Sequence, residues 1–343
     1  MIWRIAKRIL LVVLLLVLPA AAWVTWQLNS RPSLAPYAAL WLPAVPDDVA
    51  AQAPPPSGNK PQPAIRMVFL GVCTVLLDDG ETPILIDGFF TRPGLRSVMF
   101  GRIAPDRELI ARSLARAGIQ RLAAVITVHS HYDHAMDTPE VARQTGALVV
   151  GSASTANIAR GWGLDESRIR TVADGQRLQF GRWQLDVIGS VHAPTAVTGG
   201  SIAAPLKPPV RATRYEEGGS FSLLLRNGGR RLLVQGSAGF ITGKLSGQVA
   251  DVVLLGIGAL GQQDDAYLDR YWREVVGATG ARRVIPVHWD DFSLPLDQPL
   301  QPAPRLIDDF DHSMRFLTAR GQAERIDVKL APAWSRVDPF AGL

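Results

Sequence analysis

Cysteine is nearly absent: Cys73 is the only one in 343 residues, so no intrachain disulfide can form. A chain this long has enough apolar residues to build a core without such a staple. Cys73 sits in the apolar run Met67-Val68-Phe69-Leu70-Gly71-Val72-Cys73 and reads as a small buried residue rather than a nucleophile. Lysine and arginine runs are also missing from the body of the chain. The formal net charge is +5, but five of the 36 basic and two of the 31 acidic residues lie within residues 1–63. That leaves 31 basic against 29 acidic beyond the segment, so the excess is partly a targeting signal and no nucleic-acid partner is expected. Histidine is scarce as well. Of the six in the chain, three fall within His129–His134.

What is abundant comes first in the chain. Arg4, Lys7 and Arg8 precede an almost wholly apolar stretch over residues 9–24, with Trp23 and Trp26 behind it. Extended to Leu28, the segment reaches the about 20 residues that span a bilayer. It is either a signal anchor, with the tryptophans at the membrane interface, or a signal peptide cleaved near Ala20-Ala21-Ala22. Either way the cationic start stays inside and the rest is exported, to the periplasmic or extracellular side, membrane-anchored or secreted. Residues 31–63 are rich in Pro and Ala and read as a semi-rigid linker holding a domain over 64–343 off the membrane.

In that domain, apolar and β-branched runs predict strands over 65–70, 72–77 and 84–87, with an Asp79-Gly80 turn. A helix is expected over 106–117, a buried strand over 122–128, a helix opening at Thr138-Pro139-Glu140, a strand over 147–150 and a short helix over 154–160. Hairpins follow over 177–189 and 220–234, then a strand over 252–256, a helix over 264–276 and a strand over 283–287. A helix over 304–319 and a strand over 325–330 close the chain. Strand groups followed by alternating strands and helices predict an α/β fold, two sheets covered by helices.

The strand at 122–128 leads into His129-Ser130-His131-Tyr132-Asp133-His134, which offers four potential ligands in six residues. Their i, i+2, i+4, i+5 spacing does not fit one helical face and suits a loop that turns back on itself. Imidazole and carboxylate suit Zn²⁺, Mn²⁺ or Fe²⁺. His192 and His288 also end apolar runs, where open α/β sheets place their sites. His312, among Asp308, Asp309 and Asp311, reads as a surface residue.

The run His129–His134 matches the HxHxDH signature without a gap, and the chain beyond residue 63 resembles the metallo-β-lactamase superfamily. The resemblance implies an αββα sandwich behind an N-terminal transmembrane or signal helix. Val191-His192-Ala193 and Pro286-Val287-His288-Trp289 are similar to the family's later histidine motifs. It implies one metal on His129, His131 and His192, and a second on Asp133, His134 and His288. Ser237 falls where the family carries its bridging aspartate. A neutral hydroxyl is at most a weak or substitute ligand, so one or two zinc ions are expected, with Asp290 and Asp291 as conceivable stand-in carboxylates. Asp87 would orient a metal histidine. Phe69-Leu70-Gly71-Val72, Leu85-Ile86-Asp87 and His288-Trp289 resemble the branch of L-ascorbate-6-phosphate lactonases and N-acyl-phosphatidylethanolamine phospholipase D.

The implied chemistry is hydrolysis. A three-histidine metal lowers the pKa of its water to about 7, and the resulting hydroxide attacks an ester, lactone or phosphodiester while Asp133 orients it or handles protons. Residues 89–102 mix aromatics with Arg92, Arg96 and Arg102, and residues 194–219 carry Lys207, Arg211 and Arg214. Arg92 and Arg96 are the candidate binders of an anionic, part-apolar substrate such as a lipid; solvated surface arginines are the plain alternative. The rival function is a metal-binding, non-catalytic envelope protein, for which Ser237 is the best argument. Di-iron redox relatives resemble HxExDH instead, and position 131 here is His, so that activity is not expected.

Overall fold

The computed structural model describes residues 2–45, 65–195 and 199–343. Helix α1 (Ile2–Asn29) is the one helix, among the described residues, long and apolar enough to cross a membrane, by length and composition alone. None of its apolar window is buried in the protein.

Two seven-stranded sheets follow. The first contains β1 (Arg66–Phe69), β2 (Val75–Asp78), β3 (Ile84–Ile86), β4 (Ala124–Ile126), β5 (Leu148–Gly151) and β6 (Ile169–Thr171). The second contains β7 (Arg177–Phe180), β8 (Trp183–Ser190), β9 (Ser220–Asn227), β10 (Arg230–Gln235), β11 (Val252–Gly256), β12 (Arg283–Val287) and β13 (Asp327–Val328). A final strand, β14 (Arg336–Val337), returns to the first sheet and pairs antiparallel with β1. Each sheet changes from antiparallel to parallel partway across: at β3 in the first and at β10 in the second.

Side-chain alternation explains the layers. On β3, Ile84 and Ile86 face the second sheet, while Leu85 joins the cluster beneath the outer helices. Ala124 and Ile126 of β4 divide from Val125 in the same way, as the two-residue strand period requires. The first outer layer contains α3 (Arg107–Arg116), α5 (Thr138–Thr145) and α6 (Ala153–Gly161), while α2 (Leu95–Phe100) and the short α4 (Tyr132–Ala135) touch the inter-sheet core instead, through Val98 and Ala135. Ile110 and Leu114 of α3, Val141 of α5 and Ala159 of α6 meet Leu85 and Val125. Helices α7 (Asp265–Trp272) and α8 (Phe310–Glu324) cover the second sheet through Leu268, Tyr271, Trp272, Met314 and Leu317. Truncating Ile84 or Leu85 to Ala would open a cavity on opposite faces of one strand, at about 2–5 kcal/mol each.

Several expectations are corrected. Residues 31–45 are no free spacer: Tyr37 packs edge-on against Phe310, Leu42 is buried, and its amide donates to Leu330 O at 2.8 Å. The rest of the expected linker, 46–63, lies outside the described residues, as do 196–198. Residue 72 belongs to a tight turn with φ of 51°, so β2 starts only at Val75. Within 89–102, where the sequence announces no regular element, α2 forms. The last helix starts at Phe310 rather than at 304, because the Asp309 carboxylate, not Pro304, supplies its N-cap by accepting from the His312 amide. Strands β6 and β14 are too short, three and two residues, to leave a readable alternation.

Candidate metal centre

Strands β4 and β12, from the parallel parts of the two sheets, and the antiparallel β8 end at one place. Beyond β4 lie His129, His131, Asp133 and His134; beyond β8, His192; beyond β12, His288. Two groups of ligand-type side chains result. His129, His131 and His192 form one, and Asp133, His134 and His288 the other, each with its ligand atoms within 4.8 Å of one another. The first three rings form a near-equilateral triangle, with centroids 4.8, 4.9 and 4.7 Å apart. His129 and His134, at 3.9 Å, join the two groups.

Buried nitrogens test whether a cation fits. Both ring nitrogens of His129 and Nε2 of His134 are buried without a hydrogen-bond partner among the described residues. An unsatisfied buried polar atom calls for an explanation, and a metal ion supplies one. Burial, then the neighbouring imidazoles, hold His129 well below its ordinary pKa, and His131 is lowered to about 4, mainly by burial. His192 is lowered too, again chiefly by burial. Neutral imidazoles are the form a metal needs.

The second group is electrostatically different. The Asp87 carboxylate, fully buried, accepts from the Val128 amide at 2.9 Å and faces His134 Nδ1 at 2.6 Å. Burial would lower His134, but Asp87 and then Asp133 outweigh it and raise its pKa, so without an ion this ring favours its charged form. An ion would take the place of the Nε2 proton while Nδ1 keeps its proton toward Asp87. Burial would raise Asp133, but His134 and His288 outweigh it and keep that carboxyl well below the usual range. Asp133 Oδ2 lies 3.2 Å from His288 Nε2. His288 itself has φ of +60°, and its amide donates to Val72 O at 2.6 Å. Asp87, Arg92 and Val72 share this left-handed backbone, so strain is concentrated around the centre.

Other expected site residues have different surroundings. Ser237 Oγ accepts from the Ala193 amide at 2.8 Å and so braces the turn that carries His192. Asp290 and Asp291 are not open stand-in ligands. Asp290 accepts from the Val72 amide at 2.7 Å and pairs with Arg92 at 2.7 Å; Asp291 pairs with Arg31 and accepts from the Ser293 amide and hydroxyl. Arg92 is therefore corrected: its side chain is 1% exposed and neutralised by Asp290, so it is no surface cation for a substrate. Arg96 is exposed on α2. Cys73 is fully buried, and burial with the neighbouring Asp87 pushes its thiol far up, which removes it as a nucleophile. His312 is not merely a surface group: it bridges Gly261 O and Asp265.

Sequence reasoning missed three features. Tyr132 and Phe292 form an aromatic wall, Phe292 lying 6.2 Å from Tyr132 and 5.7 Å from His288. Glu217 acts electrostatically on both His131 and His192. Gly258 lies so close to His288 that a Cβ there would come within 2.5 Å of Nδ1. Only Gly258 left a trace, as a glycine just past a buried strand.

This arrangement agrees with comparison to known proteins. Residues 82–289, more than half of the chain, match the Beta-lactamase superfamily domain. The chain belongs to this superfamily. It is similar to a metal-dependent hydrolase of Heliobacterium modesticaldum, 22% identical over 75% of this chain and 95% of that one. A metal-dependent hydrolase of Listeria innocua is 25% identical over 69% of this chain and 90% of its own length. Among solved structures, a metallo hydrolase from Ignicoccus hospitalis superposes with a TM-score of 0.49 at 12% identity, covering 80% of this chain and 97% of that one. The metallo-β-lactamase αββα sandwich and the strand-end position of the two ligand groups are consistent with that membership.

Proposed function

We propose that this superfamily member is a metal-dependent hydrolase of an ester, lactone or phosphodiester bond in an anionic amphiphile, a lipid in particular. The observation that carries the reading is the pair of ligand groups, with buried nitrogens of His129 and His134 left without hydrogen-bond partners among the described residues. The relatives described as metal-dependent hydrolases support the reaction class. His129, His131 and His192 would hold one ion, and Asp133, His134 and His288 the other, with zinc favoured and manganese or iron compatible with the same donors. Bound there, a divalent ion polarises the scissile carbonyl or phosphoryl oxygen and makes hydroxide available at neutral pH.

The chain's own groups do the rest. Asp133, kept ionised by His134 and His288, orients the attacking water; its depressed pKa makes it a weak base. Asp87 fixes the ring and tautomer of His134. Tyr132 and Phe292 exclude water on one side and suit an apolar substrate portion. Helix α1 reads as a signal anchor, with Arg4, Lys7 and Arg8 retained inside and the domain exported.

The test is metal content per chain together with a screen of generic esters, lactones and phosphodiesters. His129→Ala and His131→Ala should each abolish metal binding at the three-histidine group and turnover. Turnover that survives metal removal would overturn the reading. Full metal content with no turnover on any substrate would favour the non-catalytic alternative, whose argument is that a hydroxyl, Ser237, stands where the resemblance implies a bridging carboxylate.

A further inference from the structure

The end of α1 is fastened to the rim of the metal centre. Ser30 O accepts from the Arg305 amide at 3.2 Å, and Arg31 pairs with Asp291 at 2.6 Å. Asp291 directly precedes Phe292 of the aromatic wall, and its carbonyl accepts from Arg92 at 3.3 Å. One loop, 288–307, thus carries a candidate ligand, a wall of the site and both attachments to the helix end.

Exposed apolar side chains gather beside these attachments. Leu306 and Ile307, next to Arg305, are 43% and 46% exposed. On α2, which starts three residues after Arg92, Leu95, Met99 and Phe100 are 42%, 57% and 75% exposed. No residue of α2 is buried. Burying large apolar groups is the usual fate of a helix, so two bare segments, one next to Arg305 and one three residues past Arg92, both tied to the chain just after an apolar 28-residue helix, point to a missing apolar phase. Arg96 accompanies them and makes no ion pair among the described residues, as expected of a cation that meets lipid headgroups.

We propose that α2 and Leu306–Ile307 rest in the interfacial zone of a lipid bilayer, so that the mouth of the metal centre beside Phe292 opens against lipid. The proposal depends on α1 being a membrane anchor and identifies the substrate as a lipid that enters from the bilayer. It needs no long spacer, because residues 31–45 are packed on the domain.

The experiment uses the full chain in vesicles of phosphatidylcholine and phosphatidylglycerol, with an environment-sensitive fluorophore attached after Phe100→Cys, Ile307→Cys or Val249→Cys. Native Cys73 is fully buried and does not compete for label. Val249 is 45% exposed but precedes β11, at the strand end opposite the metal centre, and serves as control. Labels at 100 and 307 should shift to the blue, and brominated lipid should roughly halve their emission, as for groups about 5–10 Å into the headgroup boundary. The label at 249 should do neither. Vesicles that float with the chain while all three labels behave alike would overturn the docking and leave the anchor and the hydrolase reading standing. A blue shift that brominated lipid does not quench would mean that protein, such as a second copy, covers α2, and would also overturn it. A chain that does not float with vesicles at all would overturn anchor and docking together. None of these readouts depends on turnover.

Discussion

Gly258→Ala isolates the second ligand group without touching a ligand. The added Cβ would lie 2.5 Å from His288 Nδ1 and 3.0 Å from both Cε1 and Cγ. Ordinary contact lies near 3.5 Å, so the ring must retreat by roughly 1 Å. The His288 backbone cannot follow, being held to Val72 O at 2.6 Å in a left-handed conformation. The ring must turn instead, which carries Nε2 off its 3.2 Å contact with Asp133. Disturbing the support of a metal ligand typically weakens affinity by about 10–100-fold, or roughly 1.4–2.8 kcal/mol. Zinc titration against a chromogenic chelator should therefore show the weaker of two sites falling by that factor, with the three-histidine site changing little. Far-UV circular dichroism should be unchanged, and Gly94→Ala, where an added Cβ meets nothing within 4 Å, should bind as wild type. Two zinc ions bound to Gly258→Ala with wild-type affinities would refute the assignment of His288.

Three further outcomes are expected. Arg92 and Asp290 form a buried pair, so Arg92→Met or Asp290→Asn alone strands a charge or leaves it half-satisfied and should cost about 3–5 kcal/mol in denaturant melts, while Arg92→Met with Asp290→Asn should cost clearly less than their sum. Because His131 is lowered to about 4, protons should displace the first metal only as pH falls toward that value, not near 6.5; metal release complete by pH 6 in a chelator-free dialysis series would contradict this. His312 is raised, first by Gly261 O and then by Asp265. Its contribution to stability should be complete below the unfolded value of about 6.5 and be lost as pH rises through the folded value, a trend that His312→Gln should remove from thermal melts.

Much of the centre was legible because strands deliver it. A buried run ending in histidine can be read in sequence three times over, at His129, His192 and His288, and the sheet order brings the three ends together. Arg92 was illegible for the opposite reason. Its arginine-rich neighbourhood resembles surface, and only the fold brings Asp290, almost two hundred residues on, into its company. The Pro- and Ala-rich composition of 31–63 hid the docking of Tyr37 and Leu42, whose partners Phe310 and Leu330 lie near the far end of the chain. Helix α2 lacked a side-chain cap, since Gly94 occupies the N-cap position, so neither boundary signal nor buried stripe announced it.

The return of β14 to the first sheet makes the order of synthesis matter. Until Arg336 and Val337 emerge, β1 offers an open row of amides and carbonyls at Met67 and Val68, with β2 to β13 already made. Such an edge is a template for pairing with other chains. A chain cut short by its last ten residues would keep every histidine of the centre and still be the more prone to aggregate.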